Sequence, residues 1–406
     1  MNSINSLINP YKGLPKEIYV IFVSRIINAM GSFVMPLMTL ILTEKIGLNS
    51  DEAGAFISLS GLAFVIPSII GGKLADTIGR KKVIILFDAC AIAAYMACSF
   101  MKPSMAMGYM IMLAGAFMSI AGPAHDSLIA DLTNTKNRTN AYALCYMGFN
   151  LGFAFGPIFG GLMYNNHLPW LFIGNALSAF LSLTLIVFFI KETLGTAKKE
   201  IDEHSTSLEK PEEGSILSVL MRRPILIYFS LIILGYNFTY SQWSFMLPMH
   251  VSQVFTSALG GTYYGMLASF NGLIVIIFTS IVTRLLRNIK DMKNMILGGL
   301  LYAVGFGMLA FVSSLKSFFL AAFIFTIGEI VLAISVTPFI VNHTPSSHRG
   351  RMSAVLPIIT GTGRFLGPLI MGKVIATSSM EAGWLIVGGV AAVCSVLMLL
   401  LSKVSS

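Results

Sequence analysis

The sequence predicts an all-α membrane protein of 12 transmembrane helices, arranged as two parallel six-helix repeats. Apolar residues fill 55% of the 406 positions and charged residues only 11%, whereas a soluble domain carries about 25% charged residues. The apolar residues gather in runs of about 20, the length that crosses a bilayer as a helix. One run also recurs later in the chain with its glycines and proline in register.

Two groups of six apolar runs define the predicted helices. The first group lies near 18–43, 51–72, 82–100, 104–130, 140–163 and 168–190. The second group lies near 223–249, 260–285, 292–313, 317–342, 350–376 and 382–402. The segment between them is rich in Lys and Glu and too polar to enter lipid, and a short surface helix would fit in it. We therefore predict an N-terminal bundle at 1–190, a cytoplasmic linker at 191–221 and a C-terminal bundle at 222–406.

The basic residues predict the orientation. One set of loops, together with the termini, holds 21 of the 27 Lys and Arg residues. The positive-inside rule then places both termini and the linker in the cytoplasm, and we expect a multi-pass protein of the cell (cytoplasmic) membrane. Because the basic residues are spread over separate loops, a nucleic-acid partner is not expected. The four cysteines lie within apolar runs without metal-ligand spacing, so we expect them to form neither a disulfide nor a metal site. No cofactor is expected either.

An internal repeat relates 138–161 to 349–372. Five matches lie 211 residues apart: Arg138 and Arg349, Gly152 and Gly363, Gly156 and Gly367, Pro157 and Pro368, Gly161 and Gly372. In folds built from such parallel repeats, the substrate site lies near the bilayer midplane between the halves, and rocking gives alternating access.

The glycines of the fifth run recur every four residues, at Gly148, Gly152, Gly156 and Gly160. They share one helical face, and small residues allow helices to approach closely in lipid. Pro157 removes a backbone hydrogen bond and is expected to bend the helix. Ordinary close packing and a functional motif both remain open for this stripe.

The loop after the second run reads Gly72-Lys-Leu-Ala-Asp76-Thr-Ile-Gly79-Arg80-Lys81. A glycine at each end is expected to allow a tight helix reversal, and Asp76 can pair with Arg80 if the segment is helical. The alternative is a basic cytoplasmic loop that only sets topology. This pattern, however, resembles the loop signature of the major facilitator superfamily. The resemblance covers span number, linker and half-repeat, although the matching loop of the second half, Thr283 to Met292, lacks the glycines and the Asp.

A second pattern, formed by Gly152, Gly156, Pro157, Gly160 and Gly161, resembles the fifth-span motif of the drug:proton antiporter branch. The resemblance implies a proton-coupled antiporter that exports amphipathic or cationic small molecules. The fourth-span Arg of many such exporters is missing, since 108–122 contains no Arg. The alternative is a carrier of one endogenous solute or lipid-like molecule with the same fold.

Six ionisable residues stand out within the predicted spans, and such residues are functional hypotheses by default. They are Arg25, Asp88, His125, Asp126, Glu329 and Arg364. Glu329 and Arg364 are expected at similar depth on neighbouring spans, as a buried proton-coupling pair or a structural ion pair. Arg25 is expected to pair with Asp126 or Asp88. A structural role is favoured for His125, and Asp88 has no assigned role.

The resemblance also implies a latch, in which Asp131 at the end of span four meets Arg80. Asp126 is the alternative partner, and a static helix cap is the simpler interpretation. The expected latch residues are Gly72, Asp76, Gly79, Arg80, Lys81, Asp131 and Asp126.

The spans that usually line the central cavity of this family provide aromatic residues, Met and a few polar groups. This mixture suits cationic or amphipathic ligands, although packing explains many of these side chains as well. The expected cavity residues are Arg25, Asn28, Met35, Phe117, Tyr236, Asn237, Tyr240, Trp243, Met246 and Glu329. Since no phosphate-binding loop or nucleophile constellation is present, an enzyme is not expected. The expected partners are a small-molecule substrate, protons and the lipid bilayer, for a monomeric chain.

Overall fold

The computed structural model describes residues 11–134, 137–194, 224–343 and 349–404. The surface helix considered for the linker falls largely outside these residues. All the regular structure within them is helical, as lipid demands, because a helix satisfies its own backbone hydrogen bonds. The longer α-helices are α1 Lys16–Met30, α2 Ser50–Ile78, α3 Arg80–Phe100, α4 Met105–Asp131, α5 Arg138–Phe153, α6 Gly156–Tyr164, α7 Leu168–Phe189, α8 Pro224–Ser241, α9 Met246–Phe255, α10 Ser257–Leu286, α11 Asp291–Gly307, α12 Leu315–His343, α13 Arg349–Thr377 and α14 Met380–Val404.

Ten helical segments among the described residues are long and apolar enough to cross a membrane. Two of them combine consecutive helices, α5 with α6 and α8 with α9. Of the 12 predicted spans, the first is interrupted, because α1 ends at Met30 and helix resumes only at Met38. The eleventh corresponds to α13, which has sufficient length, 29 residues, but is not among these ten segments.

The fifth predicted span is interrupted at the position where its proline is expected to act. The first helix of this span, α5, ends at Phe153, and α6 begins at Gly156 with Pro157 in its first turn. Proline is well tolerated there because the first helical N–H groups have no intrahelical partner. The predicted bend at Pro157 is thus confirmed as a break in the helix.

The chain divides into two compact units. Unit 1 comprises 1–47, 60–201 and 255–273, and unit 2 comprises 48–59, 202–254 and 274–406. The start of α2 therefore belongs to unit 2 and the first part of α10 to unit 1. The predicted division into bundles at 1–190 and 222–406 stays a prediction.

The same pairs of helices pack together in each unit. In unit 1, α1 packs on α5 and α7, while α3 packs on α4 and α7. In unit 2, α8 packs on α13 and α14, while α11 packs on α12 and α14. In each half of the chain, the helix of the sixth predicted span thus packs against the helices of the first and third predicted spans.

Aromatic stacking fills the interior of unit 2. The ring of Phe306 stacks on Phe325 at 4.6 Å and on the fully buried Trp384 at 6.2 Å. Large apolar side chains also cover the outside, for example Phe100 and Phe188, which are 83% and 76% exposed. Exposed apolar surface of this kind suits contact with lipid.

Candidate functional site

The α2–α3 junction turns at Gly79, which has φ +113° and ψ 148°, a backbone conformation that is rare for other residues. The preceding helix continues through Gly72 to Ile78. The prediction that a glycine marks each end of this turn is therefore wrong for Gly72. A Cβ on Gly72 would lie 3.9 Å from the Cβ of Pro123 on α4, which is an ordinary van der Waals contact.

The Arg80 side chain joins three helices at this junction. Its Nε donates to Asp131 Oδ2 at 2.9 Å, and its Nη2 lies 3.1 Å from Asp76 Oδ1. A further hydrogen bond, from Nη1, reaches the Ala75 carbonyl at 2.8 Å. The expected contacts of Arg80 with Asp131 and Asp76 are therefore formed. Since the Arg80 and Asp131 side chains are only 14% and 11% exposed, their attraction is weakly screened by water.

Two further residues that were not predicted from the sequence belong to this junction, Glu192 and Thr193. The Glu192 carboxylate accepts the N–H of Arg80 at 2.8 Å and that of Lys82 at 3.4 Å. Two of the otherwise unpaired N–H groups at the start of α3 are thereby satisfied. The hydroxyl of Thr193 donates to Asp131 Oδ2 at 2.8 Å. We call Asp76, Arg80, Asp131, Glu192 and Thr193 the junction network.

Backbone hydrogen bonds favour the ionised form of Glu192. Burial by itself would raise the pKa of this carboxyl, but the N–H groups of Leu194, Arg80 and Thr193 lower it below its usual value. The anion is therefore the form that the junction holds. Lys81 also joins the junction to α7, since its Nζ donates to the Val187 carbonyl at 2.7 Å.

Asp126, the alternative partner for Arg80, pairs with another arginine. Arg25 Nη2 donates to Asp126 Oδ1 at 3.2 Å, which is one of the two pairings predicted for Arg25. The Tyr142 hydroxyl donates to the carbonyl of Asp126 at 2.8 Å. Asp126 thus lies outside the junction network.

His125 and Asp88 form a pair that was not predicted from the sequence. The Nε2 atom of His125 lies 3.0 Å from Asp88 Oδ2, and both side chains are about one-fifth exposed. Together with Arg25 and Asp126 they line a cavity of about 270 Å³ inside unit 1. Asn28, a predicted cavity residue, lines it as well.

In unit 2, Tyr240 lies between Glu329 and Arg364. The Tyr240 hydroxyl donates to Glu329 Oε1 at 2.8 Å, and the Arg364 guanidinium lies 5.8 Å from the centre of the Tyr240 ring. Arg364 Nε donates to Asn237 Oδ1 at 3.2 Å. The expected direct pair of Glu329 with Arg364 is therefore not formed between these described side chains. Both groups instead contact one tyrosine of α8, which the sequence predicted as a cavity residue but not as a partner of this pair.

Aromatic rings surround this tyrosine. The Tyr302 ring stacks on Tyr240 at 5.9 Å, and Tyr236 approaches Tyr302 edge-on at 6.4 Å. Such ring pairs contribute about 0.5–1.5 kcal/mol beyond their buried area. The Glu329 carboxylate therefore contacts a tyrosine whose ring is held by packing.

Other predicted cavity residues lie in packed or exposed positions. Tyr236, Trp243 and Met246 are buried, whereas Met35 is 43% exposed. The Phe117 ring lies 6.3 Å from the Phe87 ring. Helix packing accounts for the buried residues, and a role in a substrate cavity stays a prediction for all five.

The predicted antiporter-type motif packs closely against neighbouring backbone. A Cβ on Gly156 would lie 2.7 Å from the Ala29 carbonyl oxygen, and one on Gly160 would lie 3.1 Å from the Phe33 side chain. A Cβ on Gly152 would meet the Ile26 carbonyl. The glycine face therefore brings the backbones of α1 and the fifth span together.

Backbone contacts of the motif recur at the repeat distance. They join Gly265 to Pro157 and Gly54 to Pro368, and they join Gly161 to Gly261 and Gly372 to Ser50. Within each set of two contacts, the residues of one contact lie 211 positions from those of the other, as Pro157 does from Pro368 and Gly54 from Gly265. Two serines at the same spacing also bond across these helices, since Ser269 Oγ accepts from Ile158 N at 3.2 Å and Ser58 Oγ donates to the Phe365 carbonyl at 2.5 Å.

Comparison with known proteins gives matches along most of the chain. A family model described as Major Facilitator Superfamily matches residues 21–355 and again 293–406. The Na(+), Li(+), K(+)/H(+) antiporter of Planococcus maritimus is 24% identical over 88% of each chain. The class B tetracycline resistance protein of Escherichia coli is 25% identical over 94% of each chain.

A solved structure has the same fold. It is a crystal structure of the peptide transporter POT in complex with sulfate, at 18% sequence identity and a TM-score of 0.80. The match covers 97% of the present chain and 95% of that chain.

Proposed function

Because the chain belongs to the Major Facilitator Superfamily, we propose that it is a secondary active transporter, and not an enzyme, that exchanges protons for amphipathic or cationic small molecules. The observation that carries this proposal is the position of Glu329. This carboxylate lies midway along the apolar helix α12 and accepts a 2.8 Å hydrogen bond from Tyr240. A carboxylate inside a membrane helix is costly to keep and is therefore a functional hypothesis by default.

The charge balance around Tyr240 suggests how proton and substrate would compete. With Glu329 ionised, its negative charge offsets the positive charge of Arg364, 5.8 Å from the Tyr240 ring. A proton on Glu329 leaves the arginine charge unbalanced, and a positively charged substrate is then repelled. Loss of the proton restores the negative charge that attracts such a substrate. Proton uptake and cation release would thus accompany each other.

The junction network supports the proposed conformational latch. Arg80 holds carboxylates from α2 and α4, while Thr193 and Glu192 attach the segment after α7. We place this network at the cytoplasmic face, from the distribution of Lys and Arg. Its release and formation would accompany alternation between two access states.

The contacts at the 211-residue spacing support two parallel repeats within a 12-helix arrangement. Each involves glycine, serine or proline backbone, so the helices meet through small residues that pack closely without interlocking large side chains. Such contacts favour separation and renewed packing during alternating access. We propose that a monomer in the cell membrane, with both termini in the cytoplasm, carries out this cycle.

The second candidate is a carrier of one endogenous solute. It is favoured by the lack of an Arg in 108–122, where many drug:proton exporters of this family carry one. A compound panel distinguishes the two candidates, because an exporter of amphiphiles accepts several unrelated lipophilic cations and a specific carrier accepts none of them.

The Glu329→Gln variant tests the proposal. In proteoliposomes that contain a pH-sensitive dye, tetraphenylphosphonium or ethidium should drive proton exchange by the unmodified protein and not by this variant. Glutamine keeps the hydrogen-bond acceptor but cannot carry the exchangeable proton. Full substrate-driven exchange by Glu329→Gln would reject the proposal.

The matched control is Glu381→Gln, because Glu381 is an exposed carboxylate at the start of α14. This control should keep the exchange rate of the unmodified protein. Size-exclusion profiles and melting curves of both variants establish that they are folded. If Glu381→Gln abolished exchange as well, the assignment of the effect to Glu329 would fail.

A further inference from the structure

The cavity in unit 1 is lined by an aspartate and a histidine that pair with each other. Asp88 Oδ2 lies 3.0 Å from His125 Nε2, and Arg25 lies 3.2 Å from Asp126. The two pairs and Asn28 form the polar side of a cavity of about 270 Å³. Neither Asp88 nor His125 belongs to the junction network, and the proposed exchange at Glu329 uses neither.

The charges that face this cavity come from three helices. Arg25 lies on α1, Asp88 on α3, and His125 and Asp126 on α4. From α5, Tyr142 and Cys145 lie near Arg25 and Asp126. The part of α7 that lines the cavity contributes Ala179 and Ser182, which are uncharged.

The positive charge of Arg25 offsets one of the two carboxylates. The net charge of the cavity therefore depends on His125. With a neutral histidine the cavity carries one net negative charge, located at Asp88. With a protonated histidine the cavity is neutral and Asp88 is paired. A histidine changes its charge within the physiological range of pH. An incoming cation and a proton therefore satisfy the same carboxylate.

The other side of the cavity indicates the kind of cation. Tyr95, Met118 and Phe149 provide an apolar and aromatic surface. Aromatic faces attract ammonium groups, and methionine adapts to varied apolar shapes. The volume lies below the range of about 300–1,000 Å³ found for drug-sized ligands. No set of three His, Cys, Asp or Glu side chains suited to hold a metal is found among the described residues.

We propose that this cavity binds a small organic ammonium ion at Asp88 in exchange for a proton of His125. The ammonium N–H groups donate to the Asp88 carboxylate, and the proton on the histidine nitrogen facing it leaves to water. This inference rests on the proposed exchange activity and adds a second exchange site to it. Affinity for the ammonium ion rises with pH, because protons compete less at higher pH.

Calorimetry with the purified full-length chain in detergent tests the site, with 2-phenylethylammonium as the probe. Titrations at pH 6.5 in phosphate and in the zwitterionic buffer BES give the number of protons released, because the two buffers differ in ionisation enthalpy and neither carries a net positive charge. We expect up to one proton released per bound ion, and affinity at least tenfold higher at pH 7.5 than at pH 5.5. The neutral isostere 2-phenylethanol should bind at least tenfold more weakly than the ammonium ion.

Two variants locate the site. Asp88→Asn should weaken binding at least tenfold, whereas His125→Asn should keep binding but lose proton release and pH dependence. Asp51→Asn, at an exposed carboxylate at the start of α2, is the matched control and should behave as the unmodified protein. If Asp88→Asn does not fold, the His125→Asn titration still decides the proposal.

Three results would overturn the proposal. These are unchanged affinity in Asp88→Asn, proton release that persists in His125→Asn, and complete displacement of the probe by NaCl or KCl at equal concentration, which would assign the site to an alkali ion. Glu329→Gln separates this site from the proposed function. In that variant the binding and proton release at Asp88 should persist even though transport is lost.

Discussion

At the scale of single residues, the Tyr240 hydroxyl is the feature that sequence reasoning did not reach. Glu329 and Arg364 could be selected from the sequence because charges in apolar runs are rare. The side chain that lies between Glu329 and Arg364 is determined by the rotation of α8 relative to α12 and α13. The periodicity of a single helix gives no information about this rotation. The expected direct ion pair is accordingly replaced by contacts through Tyr240 and Asn237.

Tyr240→Phe should slow proton-coupled exchange at least tenfold. The variant keeps the ring stacked on Tyr302 at 5.9 Å but removes the hydroxyl that donates to Glu329. A hydrogen bond to a charged group is worth about 1.5–3 kcal/mol, and about 1.4 kcal/mol corresponds to a factor of ten. The measurement is the initial rate of dye-reported proton flux in proteoliposomes.

Tyr228→Phe is the control for this substitution. Tyr228 lies on the same helix and is 58% exposed, so removal of its hydroxyl should leave the rate unchanged. Equal rates for Tyr240→Phe and Tyr228→Phe would show that the Tyr240 hydroxyl has no part in exchange.

At the scale of elements, the α2–α3 junction was predicted in part. The loop signature identified Arg80, Asp76 and Asp131, and their contacts are formed. Glu192 and Thr193 were missed, because they begin a charged segment that reads as solvated linker. Only the folded chain brings this segment against the first N–H groups of α3.

Gly79→Ala should destabilise the protein more than Gly47→Ala. Both glycines have positive φ, +113° and +89°, and a Cβ is strained at each. A Cβ on Gly79 would in addition overlap the Glu192 carboxylate, whereas one on Gly47 would have no neighbour within 4 Å. Backbone strain costs about 1–3 kcal/mol at such a site.

The free energy of unfolding, measured by titration with a denaturing detergent, checks this comparison. We expect Gly47→Ala to lose about 1–2 kcal/mol, as for other residues forced into left-handed backbone. Gly79→Ala should lose more. Equal losses would mean that Glu192 does not occupy the space beside Gly79.

The docking of Glu192 should depend on pH. Its pKa is lowered in the docked state, so the stabilisation is complete above the usual Glu pKa of about 4.3 and is lost as the pH falls through the docked pKa. The amides of Arg80 and Lys82 should therefore stay protected from hydrogen exchange at pH 6. They should lose protection in strong acid, after correction for intrinsic exchange rates.

Glu192→Gln should remove this pH dependence and cost about 1 kcal/mol of protection, the typical cost of a lost helix cap. Glu17→Gln, in the first turn of α1, serves as the control. Protection of Arg80 and Lys82 that is independent of pH in the unmodified protein would contradict the assigned role of Glu192.

At the scale of the whole molecule, hydropathy and repeat spacing predicted the class of fold, because lipid requires helices of defined length. The structure supplies ten helical segments of membrane-spanning character among the described residues. Sequence reasoning did not foresee that α1 ends at Met30 or that Asp88 pairs with His125. These details depend on packing between helices distant in sequence, for which a single chain carries no direct signal.

We propose that a proton gradient drives the movement of the substrate against the concentration gradient of the substrate. The most direct test is uphill accumulation of tetraphenylphosphonium in inside-out proteoliposomes with an acidic lumen, with the membrane potential clamped. We expect the cation to accumulate above its external concentration. It should leave again when an ionophore collapses the pH difference. Equilibration to equal concentrations, whatever the imposed pH difference, would contradict this proposal.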